Sequence, residues 1–334
     1  MRVGVIFAAL LGLALAAYFV VSVGFHSVLT AMFAVGWGGF ILLCVCGAAL
    51  LALLGAAWFA LIPRHENPRL ATFVWGRAVR ESAGELLPFS QFGGIVIGAR
   101  ALMLHKVNAS LAFASTIVDV TIEMVAQIVF VLVGLAILLT LAPRSPANAS
   151  LTRSIALGVV AAVIAAALFL LLQRRGLGAM SHWSRSYFPK VSQWLGKVHH
   201  GLAEIRASPL GLSICFAIHI CGWVCTVVWA WIALRLIGRP ISFPLIFAIE
   251  AILYGVRSAV IFVPGAIGVQ EASYALIGPL FGLAAPTGIA LSLLKRARDV
   301  ALGVPILLAW QFAEGRALNK GRNSGQLSDE KNSP

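Results

Sequence analysis

The 334 residues are 60% hydrophobic and 11% charged, with a mean hydropathy of +0.95. That balance excludes a soluble globular domain of average composition and reads as a polytopic membrane protein. Lys and Arg number 25 against 12 Asp and Glu, a formal net charge of +13; cations clustered beside apolar runs point to anionic lipid headgroups, and nucleic acid is a poor explanation of them.

Apolar stretches of about 20 residues, enough to cross a hydrocarbon core as helix, fall near 3 to 23, 33 to 62, 110 to 141, 154 to 172, 210 to 234 and 243 to 262. The first is read as a transmembrane helix and not a secretory signal. It is nearly a full span, and Phe25 and His26 lead straight into another hydrophobic segment. Past the second span, Asn67 and Pro68 fit the N-cap and first position of a helix. That helix carries Leu70, Phe73 and Val74 with Arg69, Arg77 and Arg80, and is expected on the membrane surface.

The stretch from 85 to 104 is interrupted, with Glu81, Glu85, Pro88, Gln91, Gly93 and Gly94 in or beside the break. Arg64, Arg69, Arg77 and Arg80 form one basic connection, and Arg174, Arg175, Arg185, Lys190, Lys197 and Arg206 another. The positive-inside rule places both on the cytoplasmic side. With the N-terminus also cytoplasmic, parity requires residues 85 to 104 to dip in and return, a first re-entrant element.

In the span from 110 to 141, Thr116, Asp119, Glu123 and Gln127 follow i, i+3, i+7 and i+11 and share one helix face. Acids there need partners, and Arg100, Arg257, Arg298 or water are the candidates. Two readings stay open: Asp119 and Glu123 as proton carriers, or as ion pairs that lock helices. From Pro189, the stripe of Val191, Trp194, Leu195, Val198, Leu202 and Ile205 predicts an amphipathic helix. It either lies in the interface or packs on the cytoplasmic ends of the spans.

The five cysteines, Cys44, Cys46, Cys215, Cys221 and Cys225, fall within predicted spans, where buried cysteine behaves as a small hydrophobe. Cys215, His219 and Cys225 lack a four-ligand spacing, so no metal is expected.

Glu250, Tyr254 and Arg257 share a face ahead of a second break, from Val263 to Glu271. Pro264 has no N–H to donate, Gly265 and Gly268 weaken a helix, and Gln270 and Glu271 follow at once. A broken or re-entrant helix is tolerated at membrane depth only against protein or a wet cavity, as in transporter sites. Lys295, Arg296, Arg298 and Asp299 divide the apolar stretch from 284 to 312, which predicts two half-spans meeting at a charged junction. Paired breaks in two halves raise the expectation of an inverted repeat.

Residues 1–318 read as one transmembrane domain and 319–334 as a disordered polar tail. There is no nucleophile–base pair, Walker sequence or metal-ligand motif, so neither an enzyme nor a cofactor is expected.

Glu81, the stretch Leu87, Pro88, Phe89, Ser90 and Gln91, Gly93, Gly94, Arg100 to Leu102, and the later Pro264, Gly265, Gly268, Gln270 and Glu271 together resemble the transmembrane region of the lysylphosphatidylglycerol synthase family. They are most similar to its hopanoid biosynthesis-associated branch. The resemblance covers about residues 1 to 318. It implies a flippase-like helical domain in a bacterial inner membrane that moves extended hopanoids, or a related lipid, towards the outer membrane, the substrate being a hopanoid or phospholipid. Synthase members carry a large cytosolic aminoacyltransferase domain, and no stretch here corresponds to it.

The expectation is an all-α bundle whose two broken elements enclose a polar cleft for a lipid headgroup. Arg100, Arg257 and Arg298 would bind the headgroup, and Gln270 and Glu271 would orient it or gate access. The rival readings are an intramembrane enzyme acting on a hopanoid or polyprenyl headgroup, and a scaffold for lipid-synthesising enzymes.

Overall fold

A computed structural model describes residues 33–67, 69–87, 90–141, 189–259 and 266–331, with a few isolated positions besides. The span expected at 3 to 23 and, apart from four isolated positions, that at 154 to 172, together with Pro88, Pro264 and Gly265, lie outside the described residues, as does the side chain of Gln91. The described chain is an all-α membrane helical bundle, with no strand among the described residues.

In chain order the helices are α1 (Gly36–Phe59), α2 (Leu70–Leu86), α3 (Ser90–Leu104), α4 (Ala109–Leu141), α5 (Pro189–Arg206), α6 (Pro209–Leu236), α7 (Phe243–Ala259), α8 (Val269–Ile277) and α9 (Ala285–Lys331). Short 3₁₀ turns occupy Arg64–Glu66 and Gly278–Phe281. Residues 36–59, 109–140 and 209–236 are long and apolar enough to cross a membrane. At 1.5 Å per residue the shortest of them reaches about 36 Å, against about 30 Å of hydrocarbon. Trp37, Ile41 and Val45 point outward from α1 while Leu43 is fully buried. Both faces are apolar because one meets lipid and the other meets protein.

Two apolar cores hold the bundle. Leu43, Phe130, Trp229, Ile249 and Leu291 belong to one, and Trp58, Phe73, Leu102, Leu202 and Ile205 to the other. In α5, Val198, Leu202 and Ile205 are buried, and Gly201 lies against Ala114 of α4. The described part of the amphipathic stripe, Val198, Leu202 and Ile205, therefore packs on protein.

The surface placement expected for α2 is overturned. Phe73 and Arg77 are each 1% exposed. Close approach explains the burial: a Cβ on Gly55 would lie 2.4 Å from Val74 Cα, and one on Gly94 would lie 2.6 Å from the Arg80 carbonyl oxygen. Glycines of α1 and α3 thus let their backbones close on α2 from two sides. Arg77 and Arg80 are consequently core cations and say nothing about which side of the membrane is cytoplasmic.

At the end of α2, Leu87 is extended (φ −91°, ψ 147°), as the residue before a proline must be, and α3 then folds back along α2. In the second half, α7 and α8 are separate helices, and Gly268 begins α8 at φ +80°, a conformation open to glycine. The two half-spans expected across 284 to 312 are one continuous helix, with Pro305 inside it. Val300, Val304, Leu308 and Phe312 make an exposed apolar stripe at i+4 spacing, while Ser292 and Lys295 are buried. The charges that looked like a junction occupy the inner face of one helix. Its helical backbone runs on through Lys331, past the boundary at 318 drawn from composition.

A charged cavity among the helices

The first half of the site is built on α2, α4 and α6. Arg77 and Arg80 lie one turn apart on α2 and face Asp119 and Glu123, also one turn apart on α4. Arg77 donates to both Glu123 oxygens, at 2.5 and 3.0 Å, and to Asp119 Oδ2 at 3.2 Å. Arg80 donates to Asp119 Oδ2 at 2.6 Å and to Glu123 Oε2 at 2.5 Å. Glu81 forms a further ion pair with Arg77 at 2.5 Å. From α6, His219 Nε2 lies 3.0 Å from Asp119 Oδ1, and Cys215 Sγ lies 3.8 Å from the same oxygen.

Asp119, Cys215 and His219 bring three potential ligand atoms within 4.8 Å of one another. The two guanidiniums on Asp119 Oδ2 oppose a divalent cation at Oδ1. We assign this group to the ion-pair network, with Asp119 bonded to the histidine.

The second half joins α7, α8 and α9. Glu250 accepts from both Tyr274 Oη and Lys295 Nζ. Arg257 reaches in two directions, donating to Glu85 on α2 at 2.8 Å and to Gln270 Oε1 on α8 at 2.9 Å. Gln270 Nε2 donates to Ser292 Oγ at 2.8 Å. Glu271 accepts from Arg296 Nε at 2.6 Å, Ser292 Oγ at 2.8 Å and the Gly268 backbone N–H at 2.8 Å. Arg298 donates to Asp299 at 2.6 Å and stacks over Trp229 at 4.5 Å.

A cavity of about 140 Å³ lies between the two halves. Its wall includes four acids, Glu81, Glu85, Glu123 and Asp299, and four cations, Arg77, Arg257, Lys295 and Arg298. Tyr254, Trp223 and His219 also border it, and Leu50, Leu51 and Leu54 of α1 close one side. Glu81, Glu123 and Asp299 side chains keep 28, 22 and 25% of their exposure, so the cavity communicates with the outside.

Of the residues singled out from sequence, Arg257, Arg298, Glu81, Glu85 and Glu123 border this cavity, and Asp119 and Gln270 stand one hydrogen bond behind it, on Arg77 and His219 and on Arg257. Glu271 is fully buried and tied to the start of α8, outside the cavity wall. Arg100 is also elsewhere, in a bidentate pair with Glu314 between α3 and α9. Gly93 and Gly94 lie in the packed α2–α3 hairpin. The partners expected for Asp119 and Glu123 were Arg100, Arg257, Arg298 or water; the protein side chains bonded to them are Arg77, Arg80 and His219. Thr116 bonds its own helix, and Gln127 joins α4 to Tyr254 O and Ser258 Oγ on α7. Sequence reasoning missed Arg77, Arg80 and His219 as site residues. A histidine inside an apolar run was the readable signal, since polar groups at that depth carry the same cost that marked the acids.

The family model for the lysylphosphatidylglycerol synthase TM region matches residues 5–306. The chain belongs to that family. The match contains every cavity residue, so in this member of the lysylphosphatidylglycerol synthase transmembrane-region family the charged cavity lies wholly within the family domain. Comparison with curated proteins gave no match. Comparison with solved structures gave none either.

Proposed function

We propose that this protein is a lipid transporter of the bacterial inner membrane, with its N-terminus cytoplasmic, that takes a lipid headgroup into the charged cavity while the lipid body stays in hydrocarbon. The observation that carries the reading is the cavity itself. Eight charged side chains border a space of about 140 Å³ inside helices whose outer faces are apolar. Such a wall is costly at membrane depth unless it serves a polar pathway.

Arg257 and Arg298 are the headgroup contacts retained from the sequence reading, joined by Lys295. The α2–α3 and α7–α8 pairs serve as the two broken elements flanking the pathway. The stretch from Leu87 to Gln91 favours a hopanoid as cargo, moved towards the outer membrane. On this reading the protein moves its lipid unaltered and is not an enzyme.

The test is mass spectrometry of lipid that co-purifies with the full-length protein and with the double variant E85Q/R257Q, which neutralises a cavity pair without leaving either charge alone. Wild type is expected to carry one lipid class, such as a hopanoid, above its bulk abundance, and the double variant to lose that enrichment. Bound lipid matching the bulk membrane in both proteins contradicts the proposal.

A further inference from the structure

Nearly every charged group of the cavity wall has a partner, but one titratable atom beside it has none. Among the described residues, the buried side-chain nitrogens and oxygens without a hydrogen-bond partner are Arg77 Nε, His219 Nδ1 and Trp310 Nε1. Arginine stays protonated and an indole N–H only donates. His219 Nδ1 alone can gain or lose a proton. His219 is 1% exposed and borders the cavity, and its other nitrogen is committed to Asp119.

We infer that His219 is the proton-binding residue of the cavity, and that proton uptake there is linked to cavity occupancy. The linkage rests on the transport reading above; the proton site does not. An ionised Asp119 Oδ1 is an acceptor only, so it selects the histidine tautomer with hydrogen on Nε2 and leaves the Nδ1 lone pair bare. Hydronium arriving through the cavity on acidification then gives a proton to Nδ1. One hydronium O–H bond breaks as the N–H bond forms and water is left, while Nε2–H stays on Asp119 and the imidazolium faces a carboxylate.

The surrounding charges favour this location over Asp119 and Glu123. Arg77, Arg80 and Glu81 of α2 and Asp119 and Glu123 of α4 are two cations against three anions, and one proton on His219 brings that set to neutrality. Asp119 and Glu123 each accept from both guanidiniums, so a proton on either would displace charge-assisted bonds. Beside the histidine on α6, Cys215 bonds Asp119. Across the cavity stand Tyr254 and Arg257 of α7, Lys295, Arg298 and Asp299 of α9, and Glu85 of α2. Among the described residues, neither α1 nor α5 contributes a charged residue to the wall. Of the two readings left open for Asp119 and Glu123, this placement moves proton carriage onto the histidine that Asp119 holds and leaves the acids as ion pairs.

The experiment is nitrogen NMR on ¹⁵N-histidine-labelled full-length protein in nanodiscs, titrated from pH 9 to pH 5. The chain has 7 histidines. H219Q assigns the signal by its loss. A second protein in which every other histidine is replaced by glutamine isolates it with the network intact. The expected result is a neutral Nε2–H tautomer with bare Nδ1 at high pH, converting to imidazolium on acidification, with no new protonated-carboxyl infrared band. A His219 signal that never changes, an Nδ1–H tautomer at high pH, or a carboxyl that takes the proton instead would overturn the inference.

Linkage is read from lipid retained by the purified protein. Retention should change at least threefold between pH 8 and pH 5.5 in wild type and be flat in H219Q. An equal change in both proteins refutes the linkage. Absence of enriched lipid at every pH refutes the transport reading instead and leaves the NMR result to decide the proton site.

Discussion

Arg257 on α7 and Glu85 on α2 lie 172 positions apart in the chain and 2.8 Å apart in space. Their pair closes the cavity wall between the two halves of the bundle, and Gln270 extends it to α8. Their side chains are 15 and 21% exposed, so either charge left alone would remain largely desolvated. Each of R257Q and E85Q is expected to destabilise the protein by about 3 kcal/mol, at the low end for a broken buried pair. The double variant should lose much less than the sum of the two, as coupled neighbours do. Thermal unfolding in detergent, read by size-exclusion chromatography, gives the comparison.

Asp119 is fully buried, whereas the Glu123 side chain is 22% exposed. D119N removes the charge that Arg80, Arg77 and His219 share and should cost about 3–5 kcal/mol. Water reaching Glu123 should make E123Q milder. Equal losses of thermal stability in the two variants would show that the network does not depend on burial.

Helix closeness can be tested at Gly94. A Cβ there would meet the Arg80 carbonyl oxygen at 2.6 Å and Gly84 N at 3.0 Å, both backbone atoms with little room to yield. G94A should destabilise by about 1–3 kcal/mol through overpacking. Among the described residues nothing lies within 4 Å of a Cβ added to Gly196 on α5, so G196A should be neutral or gain up to about 1 kcal/mol from helix propensity.

Arg100 offers the opposite contrast. Its side chain is 40% exposed and bonded to Glu314, away from the cavity. R100Q is expected to cost about 1 kcal/mol or less, as for an exposed ion pair, and to leave lipid retention unchanged. A loss of retention comparable with that of E85Q/R257Q would return Arg100 to the site.

The spans at 36–59, 109–140 and 209–236 were legible because apolar length is a local property. The face shared by Asp119 and Glu123 was legible for the same reason, through helical spacing. Their partners were not. Arg77 and Arg80 sit in a helix with the polar balance of a surface element, and only the approach of α1, α3 and α4 buries them. The Lys295 to Asp299 run misled in a related way. Four charged residues in five positions suggested a broken span, yet they cover less than two turns, and the outward stripe from Val300 to Phe312 keeps one continuous helix apolar towards lipid. Arg100 and Glu271 drew attention as charges in or near motifs, but each is satisfied by a structural partner that is distant in sequence or lies in the neighbouring helix.

The central claim is that the cavity serves lipid movement, and the most direct measurement is a hopanoid and phospholipid inventory of separated inner and outer membranes. The gene is deleted, then restored as wild type or as E85Q/R257Q. The account predicts unchanged total lipid species, one class collected in the inner membrane after deletion, and correction by wild type but not by the double variant. A species that vanishes while its precursor accumulates would contradict it and make the cavity an active site.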